Sequence, residues 1–282
     1  MCYKRSFIFC FFLLFLYILP QTGIYGSSDI ASIKSGILDL RSIVGNPEFL
    51  VTMKGGWEFY PETFIVSGAG NLNKEKHSYI RVPSVWSSGA GVSKSMSGTG
   101  FASYRCIILL PPGYRDNLGF DVPAFETSYR MYINGVILSS GGKTGKNERE
   151  SAPGYNPRLV KYSPNSDTLD VVIEVSNFEV SKGGFWLPMK TGSFNKIQKA
   201  YSNTWIILIA NSSMLFTIFL LSLIIFLIDR KNKKSLIFSI LILTLALRPW
   251  FSTPYIITML GDVNWTLIYK LKYINLMVLL TS

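Results

Sequence analysis

The stretch Thr204–Ile228 reads TWIILIANSSMLFTIFLLSLIIFLI, and Asp229-Arg230-Lys231-Asn232-Lys233-Lys234 follows it at once. The first part is apolar apart from Asn211 and a few hydroxyls. A hydrocarbon core about 30 Å thick takes about 20 helical residues to cross, so this part reads as a transmembrane helix. The basic cluster marks its cytoplasmic end. A second apolar stretch begins with Ser235-Leu236-Ile237-Phe238, and a third runs to Leu279-Leu280-Thr281-Ser282. The pattern predicts spans over 204–228 and 235–257, a cytoplasmic loop 229–234, an outer loop 258–266, and the start of a third span at 267–282.

The other end of the chain agrees with that orientation. Lys4 and Arg5 precede an uninterrupted apolar run from Phe7 to Leu19 closed by Pro20, the layout of a secretory signal peptide. Residues 1–26 are expected to be that leader, with an uncleaved anchor as the alternative. Either reading puts 27–203 outside the cytoplasm, on the periplasmic side of an inner membrane. Cys2 and Cys10 fall in the leader, so Cys106 is alone in the exported part and no internal disulfide can staple it. Cys106 lies in Tyr104-Arg105-Cys106-Ile107-Ile108, where a buried inert thiol is expected.

The net charge of +11 does not point to nucleic acid. Part of the excess sits in the leader, the 229–234 loop and the Lys270/Lys272 pair, beside the membrane. The rest, such as Lys143, Lys146, Lys161, Lys182 and Lys190, is scattered over loops and forms no stripe to follow a phosphate backbone.

Between Leu50 and Phe194, short alternating runs are separated by Gly, Pro, Asn and Ser clusters. Candidate strands are Gly56–Tyr60, Tyr79–Val82, Ala102–Leu110, Leu118–Val122, Ser128–Ile133, Val136–Leu138, Leu169–Val175 and Phe185–Met189. Asn134-Gly135 is a strong hairpin signal, because both central positions of a type I′ turn need positive φ. Evenly spaced short strands without an amphipathic helix among them predict an antiparallel β-sandwich. Ser28–Val44 reads equally as a helix or an added edge strand.

The order of several weak motifs adds to this reading. Gly55-Gly56-Trp57-Glu58-Phe59-Tyr60, Val82-Pro83-Ser84-Val85-Trp86 and Gly98-Thr99-Gly100-Phe101-Ala102-Ser103-Tyr104-Arg105 come first. Ser128-Tyr129-Arg130-Met131-Tyr132-Ile133-Asn134-Gly135, Val175-Ser176-Asn177-Phe178 and Gly183-Gly184-Phe185 follow. Together they resemble a jelly-roll module of galactose-binding-like fold, as in the non-catalytic sandwich domain of family 2 glycoside hydrolases. With the short basic loop and Leu243-Thr244-Leu245-Ala246-Leu247-Arg248-Pro249-Trp250, the chain also resembles bacterial seven-transmembrane receptors with diverse intracellular signalling modules. The fold class expected is therefore an all-β jelly-roll sandwich followed by α-helical transmembrane segments. The resemblance implies a C-terminally truncated receptor; in family members an output module follows the bundle, and a truncated product with no output is the alternative.

No catalytic constellation stands out. His77 is the only histidine, which excludes His-based metal clusters and the usual Ser-His-Asp triad. The glycosidase resemblance implies catalytic acids in another domain, so no enzyme, metal or cofactor is expected. A sugar has an apolar face and a polar edge, and its sites combine aromatic platforms with amide and charged groups. Trp86, Tyr155, Asn156, Arg158, Asn177, Glu179 and Trp186 are the binding candidates. Core packing is the competing account of Trp86, and a turn that of Asn177. Asn211 is expected to hydrogen-bond between helices. Arg248 is expected to lie inside span two, which continues through a kink at Pro249 to Ile257, and to pair with an acid in later helices. An end of the span at Leu247 would instead leave Arg248 at the outer interface.

The expected function is the sensory part of a membrane receptor. Its expected partners are a small-molecule ligand, a carbohydrate by resemblance, the lipid bilayer, and a second copy of the chain. A membrane-anchored carbohydrate-binding or adhesion protein without signalling is the alternative, and a transporter fragment a remote third.

Overall fold

The computed structural model of the chain describes residues 31–67, 77–88 and 96–281, so the leader expected over 1–26 lies outside the described residues. Among the described residues eleven strands form two sheets. The larger holds β1 (Ile37–Asp39), β3 (Gly55–Pro61), β4 (Ser78–Val82), β5 (Gly100–Leu109), β7 (Ser128–Ile133), β8 (Val136–Gly141) and β10 (Thr168–Asn177). Its order is β4-β3-β5-β10-β7-β8, antiparallel throughout, with β1 adding in parallel to the end of β5. The smaller sheet is β2-β11-β6-β9, formed by β2 (Leu50–Thr52), β6 (Leu118–Val122), β9 (Arg158–Tyr162) and β11 (Lys190–Ser193).

The sheets share one apolar core. Ala102, Tyr104, Cys106 and Ile108 of β5 point inward, with Trp57, Phe59, Val171, Ile173 and Met131 from the same sheet and Val51, Phe120 and Val160 from the other. The larger aliphatic and Phe side chains contribute about 1.5–3 kcal/mol each on burial, and the strand alternation brings them to one face. Cys106 is the free, buried thiol expected, and burial pushes its ionisation up. On the outward face Arg105 donates to Glu58 at 3.1 Å and Asp170 at 2.8 Å. Nearby, Glu174 is fully buried and accepts from the backbone of Val66 and Ser67, clamping the chain after β3 over the sheet.

The hairpin at Asn134-Gly135 forms as expected, with φ of 50° and 78°. Within Ser28–Val44 the described part contains the short added strand β1 and no helix. Phe185–Met189 is not a strand. Phe185 donates its N–H to the Tyr104 hydroxyl, while Ser84 and Trp86 donate to the carbonyls of Phe185 and Gly183. That segment spends its backbone groups on the neighbouring loop, and Lys190–Ser193 supplies the sheet strand in its place.

From β11 the chain enters helix α1 (Phe194–Ile228) with no linker. The helix begins ten residues before the predicted span, and at 1.5 Å per residue it is about 52 Å long, well over a hydrocarbon core. Ile197, Tyr201 and Trp205 recur every four residues and lay its first turns on the small sheet, with Ile197 and Trp205 buried. Gly119 of β6 makes room there, since a Cβ on it would stand 2.8 Å from the Ile197 Cβ. Helix α2 (Lys233–Phe251) returns alongside α1, and α3 (Trp265–Thr281) closes the described chain. α1 and α2 are long and apolar enough to cross a membrane. Ile206, Met214, Leu221, Ile225 and Ile228 of α1 are exposed.

Helix α2 ends at Phe251, short of the Ile257 expected for the second span. Ser252 is extended, and Thr253 next to it precedes Pro254, a position disfavoured in the helical region. A 3₁₀ turn, Ile256–Leu260, then leads to α3. Gly119→Ala is expected to lower stability by about 1–3 kcal/mol through overpacking against Ile197, read from denaturant melts of the chain in detergent.

Candidate functional site

The polar and aromatic side chains that join the sheets to the last helix and the loop before it gather at the β6–β7 connection. The β6–β7 connection sends consecutive side chains in opposite directions. Phe125 enters the core and stacks on Tyr129 at 4.6 Å between ring centres. Glu126, with φ of 59°, turns to the helices and is only 8% exposed. Its carboxylate accepts from Lys272 Nζ of α3 at 2.6 Å and from the Tyr255 hydroxyl, and its backbone carbonyl accepts from Trp265 Nε1 at 3.2 Å.

Tyr255 is fully buried and also lies in the left-handed region, with φ of 65°. Two non-glycine residues in that conformation therefore meet at one contact, each at a cost of order 1 kcal/mol that the surroundings must offset. Burial, then the Glu126 carboxylate, pushes the Tyr255 hydroxyl far above its ordinary range, so it stays a proton donor. The Tyr155 ring stacks on Tyr255 at 4.0 Å and faces Trp265 at 6.1 Å. Trp265 in turn stacks on Tyr269 at 4.8 Å. The arrangement is an ion pair with its carboxylate end buried, flanked by aromatic rings.

The seven sequence candidates do not converge on one cleft. Trp86 is 1% exposed and donates Nε1 to the Tyr104 hydroxyl at 2.7 Å, so it is packed into the core. Asn177, also 1% exposed, donates to the carbonyls of Gly98 and Val180 and accepts from the Val180 N–H, which ties a turn. Both corrections have one cause: a large ring and an amide beside the sheet ends satisfy the interior first. Glu179 is exposed and Trp186 half-buried on the loop those two residues brace. Tyr155 belongs to the helix junction. Asn156 donates to the Ser140 carbonyl and accepts from exposed Arg158 at 3.0 Å. No hydrogen bond or ring contact among the described residues joins the Tyr155–Arg158 group to the Trp86–Trp186 group. Asn211 is half-buried in α1, where its neighbour Ser212 makes the inter-helix bonds, accepting from Trp250 Nε1 at 2.9 Å and donating to the Ala246 carbonyl.

Two places were missed in the sequence. Glu126, Tyr255 and Lys272 form the junction, and the available signal was Lys272, a charge set in the apolar run of α3. The other is a cleft of about 780 Å³ beside edge strand β4, lined by Tyr79, Arg81, Lys54 and the bare backbone of Gly55-Gly56. Tyr79 is 42% exposed there. Alternation along Ser78–Val82 sends Tyr79 and Arg81 to one side, the pattern that would have indicated it. Among the described residues no cluster of His, Cys, Asp and Glu could hold a metal ion.

No family model and no curated protein matches the chain. Among solved structures it is similar to a β-glucuronidase of Ruminococcus gnavus, at 15% identity and a TM-score of 0.38, over 51% of this chain and 28% of that one. The same enzyme in complex with D-glucaro-d-lactam gives 16% and 0.39, over 51% and 29%. A GH2 β-galacturonidase from Eisenbergiella tayi bound to galacturonate gives 13% and 0.35, over 50% and 24%. The chain thus spans under a third of those proteins. Likeness this slight leaves its function to be read from its own residues.

Glu126→Ala is expected to cost about 1–3 kcal/mol by stranding Lys272 and Tyr255. It should raise hydrogen exchange over residues 253–264 while leaving β5 and β10 protected. Trp86→Ala should lower stability by about 3–5 kcal/mol, seen in thermal melts as a folding defect and not as a selective loss of binding.

Proposed function

We propose that the chain is the extracytoplasmic sensor and first membrane helices of a signal-transduction receptor. In this reading the two-sheet unit is a jelly-roll that takes a small carbohydrate, and α1 and α2 lie in the inner membrane. The observation that carries the proposal is the double attachment of the sheets to the helices. β11 continues directly into α1, and the Glu126 carboxylate grips Tyr255 and Lys272 beyond the second helix. A protein that is only tethered needs one connection. Two connections at different points let a shift within the sandwich change the relation of one helix to the others, which is what coupling requires.

The basic run Arg230–Lys234 supports placing the α1–α2 turn in the cytoplasm and the sandwich outside. For the ligand, the cleft by β4 offers Tyr79 for the apolar face of a sugar, and Arg81 and Lys54 for hydroxyl or acidic substituents. Stacking on one exposed aromatic and a few polar contacts would give modest affinity. A membrane-anchored binding or adhesion protein is the second reading, and it predicts binding without movement at the junction.

The test is a panel of neutral and acidic sugars against the full chain in detergent. At least one should raise the melting temperature with concentration, and Tyr79→Ala should weaken that sugar about tenfold or more. The same sugar should alter hydrogen exchange over 253–264 in the wild type and not in Glu126→Gln. A panel with no stabilising sugar would sink the carbohydrate assignment, and binding with unchanged exchange at 253–264 would reduce the protein to a tether.

A further inference from the structure

The ion pair at the junction leaves one cation over. Arg248, one turn from the end of α2, makes no ion pair among the described residues. With Lys272 and Asn275 of α3 it lines a cavity of about 50 Å³, whose other walls are Phe251, Ser252 and Leu276. The Ser252 hydroxyl already donates to the Arg248 carbonyl, at 2.7 Å, and the Asn275 amide to the Thr244 carbonyl, at 2.9 Å. Lys272 is held by Glu126. The guanidinium is thus the uncommitted donor of the cavity, and the three charges Arg248, Lys272 and Glu126 sum to one positive.

Depth identifies what could neutralise it. Trp250 donates to Ser212, sixteen residues before the end of α1, which puts that level about 24 Å from the cytoplasmic end of the helix. A hydrocarbon core is about 30 Å thick, so Arg248 stands just beneath the outer interface, where Trp250 is also at home. An unpaired charge is costly at that depth and finds a counter-charge. The cavity is well below the roughly 300 Å³ of an ordinary small-molecule site, which rules out a whole sugar. It is polar at one end and bounded by Phe251 and Leu276, with Leu267, Ile274 and Met277 exposed on the same helix. A polar head over an apolar flank is the shape of a phospholipid.

We infer that the Arg248–Lys272 cavity is a binding site for the phosphate of an anionic phospholipid in the outer leaflet. The guanidinium would take two phosphate oxygens with paired N–H donors, a geometry that lysine cannot match. Lys272 would supply the second charge, and the acyl chains would follow the apolar side of α3. This inference rests on the helices lying in the bilayer, as in the proposed function, but not on any sugar ligand or on coupling.

The experiment is native mass spectrometry of the full chain released from nanodiscs containing equal phosphatidylglycerol and phosphatidylcholine. Wild type should retain phosphatidylglycerol over phosphatidylcholine by about tenfold, and Arg248→Gln should lose that preference. Arg248→Lys should keep only part of it. Equal retention of the two lipids by wild type would overturn the site, and needs no variant to fold. Undiminished preference in Arg248→Gln would move it to the other basic residues and overturn it as well. Inorganic phosphate, added to lipid-free protein in detergent, should not raise the melting temperature at millimolar concentration. If it did so as well as the lipid, the site would be one for free anions and the lipid assignment would fall. None of these readouts depends on carbohydrate binding, so their failure is separable from failure of the receptor reading.

Discussion

Everything on the helix side of this molecule is arranged around the carboxylate of Glu126. It is nearly shut off from water, and a carboxylate in such a place must be met by donors. Lys272 and Tyr255 meet it, and doing so fixes the level of α3 and the path of the loop between α2 and α3. The aromatic stack of Tyr155, Tyr255, Trp265 and Tyr269 flanks the carboxylate, and loss of either partner of the pair is costly. The left-handed backbone at both Glu126 and Tyr255 is the local cost of bringing the two groups together.

The sandwich itself is stabilised in the ordinary way. With Cys106 as the one cysteine among the described residues, cohesion comes from the shared core of the two sheets. Ionic contacts on the outward face of the large sheet, at Arg105 and Glu174, organise the covering segment. The helices differ, since most of the apolar surface of α1 has no protein neighbour. Where α1 and α2 do touch, Ser212, Ser222 and Ser235 make short hydrogen bonds to backbone, the kind of contact that holds helices together without a hydrophobic driving force.

Much of this was readable from residue order, for identifiable reasons. The hairpin at Asn134-Gly135 and the strands around Cys106 and Val171 are local patterns, and local patterns survive folding. The apolar run after Thr204 was equally plain. What could not be read was which aromatic and amide groups the interior would claim. Trp86 and Asn177 have the composition of a sugar site, and only the register of β5 and β10 shows that they serve Tyr104 and a turn. The junction was hidden for a different reason. Glu126 and Lys272 are separated by just over half of the chain, and no periodicity links them. The start of α1 at Phe194 was missed because Ile197, Tyr201 and Trp205 form an amphipathic stripe that faces a sheet and not the rest of the helix bundle.

The absence of a linker between β11 and α1 fixes an angle as well as a connection. A helix turns by about 100° with each residue, so the exposed and protein-facing sides of α1 are set in azimuth by the residue at which the sheet stops and the helix begins. Ser193 is that residue, and the contact between Ile197 and Gly119 fastens the helix in phase just beyond it. The length of this joint is therefore under a cyclic constraint. Added or deleted residues would be tolerated in whole turns and not one at a time, which sets this joint apart from the length-tolerant loops elsewhere in the sandwich.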